Sequence, residues 1–319
     1  MIRLETIWIN LLDLNRNYMG SETRRINANL SSAGSGRWSV EQRLLYIEQR
    51  LFWRGTINRS DIISRYEVSV SQASADINRY LSLRPQDVSY DKSAKCYVAG
   101  VNFKPLLAQP DTARVLGEFR LVGIGLAEVS DTVAGEVPPF DSAALLERAV
   151  DPWVLRAVWQ AIAGGKSLQI DYQSLSRPGA FARTIEPHAL AHDGFRWHAR
   201  AFDRETGSFR DFVLARMSFP HTQEGRTTDP AHDSSWNTQV ELRIAPHPEL
   251  TPAQASAIRR DYGIEGDYVS VHVRQALLFY ALKRLGLDTA PEARAPNEQH
   301  IVLLNREQIF SSAPRTEPV

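Results

Sequence analysis

From Ser39 to Leu81 the apolar residues recur at three- and four-residue spacing, the period of helices packing one face inward. Ser39 is placed to cap a first helix with Leu44, Leu45, Ile47, Leu51 and Phe52 on one broad face. Asn58 caps a short second helix, Arg59 to Tyr66, that buries Ile62 and Ile63. After the turn Glu67-Val68-Ser69, a third helix starts near Val70 and turns Val70, Ala73, Ile77, Tyr80 and Leu81 inward. The next segment, VSYDKSAKCYVAG, predicts a hairpin with strands at Val88–Tyr90 and Cys96–Val98. Upstream, an amphipathic stretch Leu4–Leu14 leads into the polar connection GSETRRINANLSSAGSG.

Downstream the pattern changes. Residues 101–165 mix Pro-bearing loops with apolar helical stretches such as Ala143–Ala163. From Ser167 the period becomes two: SLQIDYQ, FARTIEPHALAHD, GFRWHARAFD and SFRDFVLARM alternate between Gly, Pro and Asp turns, which predicts a small antiparallel β unit over 167–220. Beyond it, VELRIAP, YVSVHVR and HIVLLN are predicted strands, and TPAQASAIRRDYG and QALLFYALKRLG predicted helices. The expected division is an extension and linker (1–36), a winged helix-turn-helix (37–100), a helical connector (101–165), a β sensor unit (166–225) and a small α+β extension (226–319).

A trihelical unit with a short turn and a hairpin carries a definite chemistry. The outer face of the third helix offers Ser71, Gln72, Ser74, Ala75, Asn78 and Arg79, with Ser69 in the turn and Arg59 opening the second helix. Amides pair with adenine edges, hydroxyls bond either way, and arginine binds guanine or phosphate, so this helix suits the major groove of operator DNA. Lys92 and Lys95 at the hairpin tip suit the backbone.

Charge changes this picture little. The 319 residues carry 37 basic and 37 acidic side chains; residues 1–100 hold 14 basic against 10 acidic, an asymmetry that permits a DNA-contacting N-terminal part without requiring one. The lone Cys96 excludes an intrachain disulfide, and no apolar run approaches the ~20 residues of a membrane span, so the expectation is a soluble, cytoplasmic protein without membrane contact.

The β unit contains seven Arg and no Lys between residues 167 and 220. Alternation puts Phe195, Trp197, Ala199 and Ala201 on one face of a strand and Arg196, His198, Arg200 and Phe202 on the other. Arginine forks suit phosphate and base edges. The alternative is a salt-bridged face with Asp171, Glu186, Asp193, Asp203, Glu205 and Asp211 as partners.

The pattern Ile170-x-Tyr172-x-Ser174, Arg183-x-Ile185-x-Pro187, Gly194-x-x-Trp197-His198-Ala199-Arg200-Ala201-Phe202 and Phe212-x-x-Ala215-Arg216 resembles the WYL domain. The segments RLFWRGTINRSDII and VSVSQASADINRYL resemble the winged helix-turn-helix regulators encoded beside bacterial phage-defence operons. The resemblance implies an α+β multidomain chain: an N-terminal winged helix-turn-helix, a central Sm-like, SH3-type β-barrel and a C-terminal α+β dimerisation domain. It further implies a homodimeric repressor relieved by a nucleic-acid fragment or nucleotide, with Tyr172, Ser174, Arg183, His188, Trp197, His198, Arg200 and Arg216 as ligand-binding candidates. Trp197 reads first as a core tryptophan and second as a ligand contact. Trp197-His198-Ala199 departs from the family's Trp-Tyr-Leu at two positions, a histidine standing where the family has tyrosine.

No enzyme is expected. Gly165-Lys166-Ser167 lacks the first glycine of a P-loop, since position 160 is glutamine. His188 and His192 share zinc-pair spacing but lie in β context without the intervening glutamate of that motif, so no metal or cofactor is expected. The alternative function is an RNA-binding Sm-like protein or a nucleic-acid-processing enzyme centred on the barrel.

Overall fold

The computed structural model describes residues 36–83, 87–141, 148–175 and 178–312. The amphipathic Leu4–Leu14 segment, the polar linker and the start of the Ala143–Ala163 stretch lie outside them. The chain divides into two compact units, Met1–Ala144 and Leu145–Val319.

In the first unit, helix α1 (Gly36–Arg54) is followed by strand β1 (Thr56–Ile57), helices α2 (Arg59–Tyr66) and α3 (Val70–Leu83), and the hairpin β2 (Val88–Asp91) and β3 (Cys96–Ala99). Leu44, Ile47 and Leu51 pack with Ile57, Ile62, Ala73, Ile77 and Tyr80 in one core. Helix α1 begins at Gly36, so Ser39 lies inside it and is not its cap. Asn58 and Asp61 form a reciprocal capping box at the start of α2. The turn to α3 puts Glu67 at φ 51°, where its N–H donates to the Ile63 carbonyl. Ser69 Oγ then accepts from the Gln72 N–H and closes the first turn of α3. Strand β1 pairs with β3, giving the order β1-β3-β2 that fixes the hairpin against the helices. After the hairpin, helix α4 (Thr112–Gly123) starts at the Asp111 cap.

The second unit opens with α5 (Pro152–Gly164), capped by Asp151 and ended by Gly165 at φ 59°. Strands β4 (Lys166–Gln173), β5 (Ala180–His192), β6 (Trp197–Asp203), β7 (Ser208–Val213) and β8 (Met217–Gly225) form one antiparallel sheet in the order β7-β6-β5-β4-β8. The sheet is open among the described residues: no pairing joins β7 to β8, so the barrel closure implied by the resemblance is absent from its ladder. Val154, Val158 and Ala161 of α5 pack on Leu168, Ile170, Tyr172, Ile185, Ala199, Ala201 and Phe212. Pro187 brings no N–H to the ladder, and the pairing of β5 with β6 slips between Pro187 and Ala189. His188 is the extra residue of that bulge, and bulges re-aim side chains.

The C-terminal part sets β9 (Gln239–Pro246) between β10 (Val269–Arg274) and β11 (Ile301–Leu303). Helix α6 (Ser234–Asn237) precedes it, and α7 (Pro252–Asp261), α8 (Leu278–Leu285) and α9 (Arg306–Ser312) complete it. Leu242, Ile244, Leu278, Leu282, Leu287, Ile301, Leu303 and Ile309 form its core. The α+β organisation and every predicted strand and helix of this part are observed.

Candidate nucleic-acid interface

Helix α3 buries Ala73, Asp76, Ile77 and Tyr80 and exposes Ser71, Ala75, Asn78 and Arg79. Ser69 in the preceding turn and Arg59 at the first position of α2 are also exposed. Gln72 and Ser74 lie half-buried at the margin of this face, and Ser74 Oγ donates back to the Val70 carbonyl. Val70, read from its spacing as an inward residue, is 59% exposed and stands with the polar face at the start of the helix. At the hairpin tip, Asp91 Oδ1 accepts from the N–H groups of Ser93 and Ala94. That Asx turn and the positive φ of Lys95, 52°, hold Lys92 and Lys95 in solvent.

Behind this surface stand buried ions that the apolar pattern did not reveal. Arg43 of α1 binds Asp76 through Nε at 2.5 Å, and Asp76 Oδ1 accepts from Gln72 Nε2 at 3.0 Å. Glu48, fully buried, accepts from Tyr80 OH at 3.0 Å and from the backbone N–H groups of Leu106, Leu107 and Ala108 at 2.6–3.0 Å. Arg50 ties Asp61 of α2 to the Ala134 carbonyl, and Arg65 donates to the carbonyls of Ser130 and Thr132. Glu48 and Asp76 fall on the inward stripes of α1 and α3, at three- and four-residue spacing from Leu44, Leu51, Ala73 and Tyr80, where a buried charge has to be paired. Their i,i+4 neighbours give no hint of a partner tens of residues away.

In the second unit the arginine-rich face is covered. Arg200 makes a two-pronged contact with Asp233, Nε to Oδ2 at 2.8 Å and Nη2 to Oδ1 at 2.9 Å, and reaches Asp211 at 3.2 Å. The bulge aims His188 Nε2 at the same Asp233, 2.9 Å away. His198 meets Asp193 at 3.1 Å, with its ring against that of Tyr280. Burial works to raise the carboxyls of Asp233 and Asp193, but the hydrogen bonds they accept, led by those from His188 and Arg200 and from His198, hold both well below the usual carboxylate range. Burial works to lower the Arg200 guanidinium, and its bonds to Asp233 and the charge of Asp211 raise it instead. Burial wins at Asp211, whose carboxyl is raised despite Arg200, and it also raises the Tyr280 phenol.

The other sensor candidates are dispersed. Arg183 pairs with Asp203 at 2.6 Å and Glu205 at 3.4 Å in a separate cluster. Tyr172 is fully buried, with its hydroxyl accepting from the Val213 N–H, and Ser174 is also buried. Arg216 is half-buried. Trp197 is 50% exposed and stacked at a tilt on His192, with exposed Phe195 two residues before it, so it is not a core tryptophan. The structure therefore brings together His188 and Arg200 through Asp233. Of the carboxylates of the salt-bridged alternative, Glu186, Asp193, Asp203, Glu205 and Asp211 are engaged, Glu186 by Arg204 at 2.7 Å. Asp233 went unread because Asp233-Ser-Ser-Trp236 signals a helix cap, a role it also fills by accepting from the Trp236 N–H. Among the described residues no cluster of His, Cys, Asp and Glu could hold a metal ion, and no helix is long and apolar enough to cross a membrane.

Three family patterns match the chain. Residues 39–120 match the BrxR transcriptional regulator winged helix-turn-helix domain, residues 146–220 the WYL domain, and residues 239–309 the BrxR transcriptional regulator C-terminal dimerization domain. A protein of Stenotrophomonas maltophilia described as the DNA-binding transcriptional repressor CapW is 34% identical over 283 residues, covering 88% of this chain and 95% of the relative. CapW of Pseudomonas aeruginosa is 35% identical over 274 residues, 86% of this chain and 91% of that protein. CapW of Escherichia coli is 33% identical over 275 residues, 86% and 92% of the two chains.

Proposed function

The chain belongs to the family of winged-helix, WYL-domain transcriptional regulators that includes the CapW repressors, and on that premise we propose that it is a homodimeric, DNA-binding transcriptional repressor of a phage-defence operon. The observation that carries the reading is the winged helix itself. One face of α3 leaves Ser71, Asn78 and Arg79 exposed beside Val70, and the basic hairpin tip stands ready for a phosphate backbone. Two such readers in a dimer address two half-sites about one helical turn apart. The match of residues 239–309 to a dimerization domain supports that assembly.

The effector is a nucleic-acid fragment or nucleotide received by the WYL unit. The exposed rings of Trp197, His192 and Phe195 support base stacking. Phosphate binding by Arg200 requires displacement of Asp233 or Asp211, so the buried ion pairs are the contacts an effector trades against. Such an exchange shifts DNA affinity only as far as the effector prefers one conformation over the other.

The test is a gel-shift titration on the duplex upstream of the protein's own gene at fixed salt, with an unrelated duplex as competitor. Asn78→Ala/Arg79→Ala is compared with the parent chain. Tight binding to one segment, lost in the double variant, supports the reader. Weak and equal binding to every duplex by both proteins overturns it.

A further inference from the structure

Among the named base readers on α3, Gln72 is held from behind by a buried carboxylate. Its Nε2 donates to Asp76 Oδ1 at 3.0 Å. Asp76 is itself buried, and its other oxygen is bound by Arg43 Nε at 2.5 Å, with Arg43 Nη2 at 3.4 Å from the shared one. A carboxylate paired with a guanidinium accepts hydrogen bonds and does not donate them. The Gln72 amide therefore has to present its NH2 to Asp76, which settles which end is nitrogen and which is oxygen. One N–H and the carbonyl oxygen remain, and no other side-chain bond of Gln72 is formed among the described residues. Those two groups are what the major-groove edge of adenine requires: a donor for N7 and an acceptor for the N6 amine.

A free glutamine at a helix surface samples many rotamers and presents either end of its amide. Anchoring the nitrogen from behind removes both freedoms before DNA arrives, so less order is lost on binding. We infer that Asp76, clamped by Arg43, is a positioning residue that fixes the Gln72 amide to read an adenine in each half-site. The inference rests on the proposed reading of DNA by α3, and it adds the base and the pair of buried ions that select it. It also accounts for a buried charge pair on the inner side of a recognition helix, where apolar residues would pack as well.

The experiment uses the full chain and its selected operator duplex, with each half-site position substituted in turn. The parent protein, Gln72→Ala, Asp76→Asn and the double variant are titrated at fixed salt, and thermal unfolding checks that each is folded. The expected result is one position at which the parent prefers adenine about tenfold, within the range of a bidentate amide–adenine pair. Gln72→Ala and Asp76→Asn each abolish that preference, and the double variant loses nothing further. At the same position 7-deazaadenine, which lacks N7, weakens the parent and leaves Gln72→Ala unaffected. Adenine preference retained in Asp76→Asn, or losses that add in the double variant, overturns the inference while leaving the reading of DNA intact. Parent binding without any base preference overturns both. Should Asp76→Asn unfold, Arg43→Lys replaces it: a partial loss confined to that position supports the clamp, and an unchanged preference refutes it.

Discussion

Glu48→Gln is the substitution that most directly tests how the recognition helix is held. The carboxylate lies fully buried between α1, the Tyr80 hydroxyl of α3 and the backbone of residues 106–108. An amide keeps one oxygen. With that oxygen on the Oε2 side it still accepts from Leu106, Tyr80 and the 3.0 Å branch from Leu107, but the new NH2 faces the Leu107 and Ala108 N–H groups that Oε1 accepted at 2.8 and 3.0 Å. Three bonds change from charge-assisted to neutral, each losing about 1 kcal/mol, and the Ala108 N–H and the new NH2 face each other without an acceptor, each at a cost of about 1–3 kcal/mol. Residues 106–108 are only half-buried, so water recovers much of this, which leaves a loss of at least about 3 kcal/mol. Hydrogen exchange reads that loss where it occurs. If the amides of Leu106, Leu107 and Ala108 exchange through local opening, a 3 kcal/mol loss accelerates them about 100-fold. Amides of the β4–β8 sheet serve as the internal control. Tyr80→Phe, which removes one donor from the same carboxylate, gives a smaller acceleration and adds little on top of Glu48→Gln. Exchange at 106–108 unchanged in Glu48→Gln would refute the reasoning, because the carboxylate would then not be what holds that segment.

Three further outcomes are expected. Glu186 is buried and would be raised by that alone, but the N–H groups of Thr228 and Thr227, Arg204 and the Thr227 hydroxyl hold it at about 2 against an ordinary 4.5. Its folded value lies below its unfolded one, so its stabilisation, about 3 kcal/mol, is complete above pH 4.5 and is lost as pH falls from there towards 2. The melting-temperature gap between the parent and Glu186→Gln should accordingly close over that interval, and a gap independent of pH counts against it. Lys92→Ala/Lys95→Ala should lower the slope of log affinity against log salt by about 2, roughly 0.9 for each phosphate contact, and weaken all duplexes alike. An unchanged slope would place the wing away from the backbone. Asp233→Ala leaves the buried Arg200 guanidinium with Asp211, 3.2 Å away, as its remaining carboxylate, takes away the partner of His188, and should cost about 3 kcal/mol in calorimetric unfolding. Arg200→Met beside it should recover part of that loss, and simple additivity would mean that the pair does not act as one.

The elements were legible where periodicity and caps agree. Asn58 with Asp61, Ser69 after the left-handed Glu67, and Thr251 with Gln254 each mark a helix start through backbone donors a few residues away, and such signals are local. Ser39 misled because a serine before an apolar run is compatible with a cap and with a helix interior alike. Val70 misled for a related reason. It continues the three-to-four spacing of Ala73 and Ile77, yet the first turn of α3 overhangs the core, so the same stripe that is buried at Ala73 is open at Val70.

The sensor face failed on a different count. Alternation correctly separates Ala199 and Ala201 from His198 and Arg200, but it assigns polarity to a face, and it does not say whether that face is wet. Here the polar face is buried by Asp233 and Tyr280, from segments 33 and 80 residues downstream of Arg200 and dominated by their own cap and helix signals. Seven arginines without a lysine were a true signal of planar, two-pronged pairing. The partners are carboxylates of the same unit, and any anionic effector has to compete with them. On the proposed effector reading, that competition makes the response adjustable at Asp233 without touching the reader. Asp233→Asn keeps the cap oxygen that receives the Trp236 N–H while removing the charge that holds Arg200, and it should therefore tighten oligonucleotide binding by the WYL unit. Unchanged oligonucleotide affinity in a folded Asp233→Asn protein would mean that Arg200 is structural and that the effector binds elsewhere on the unit.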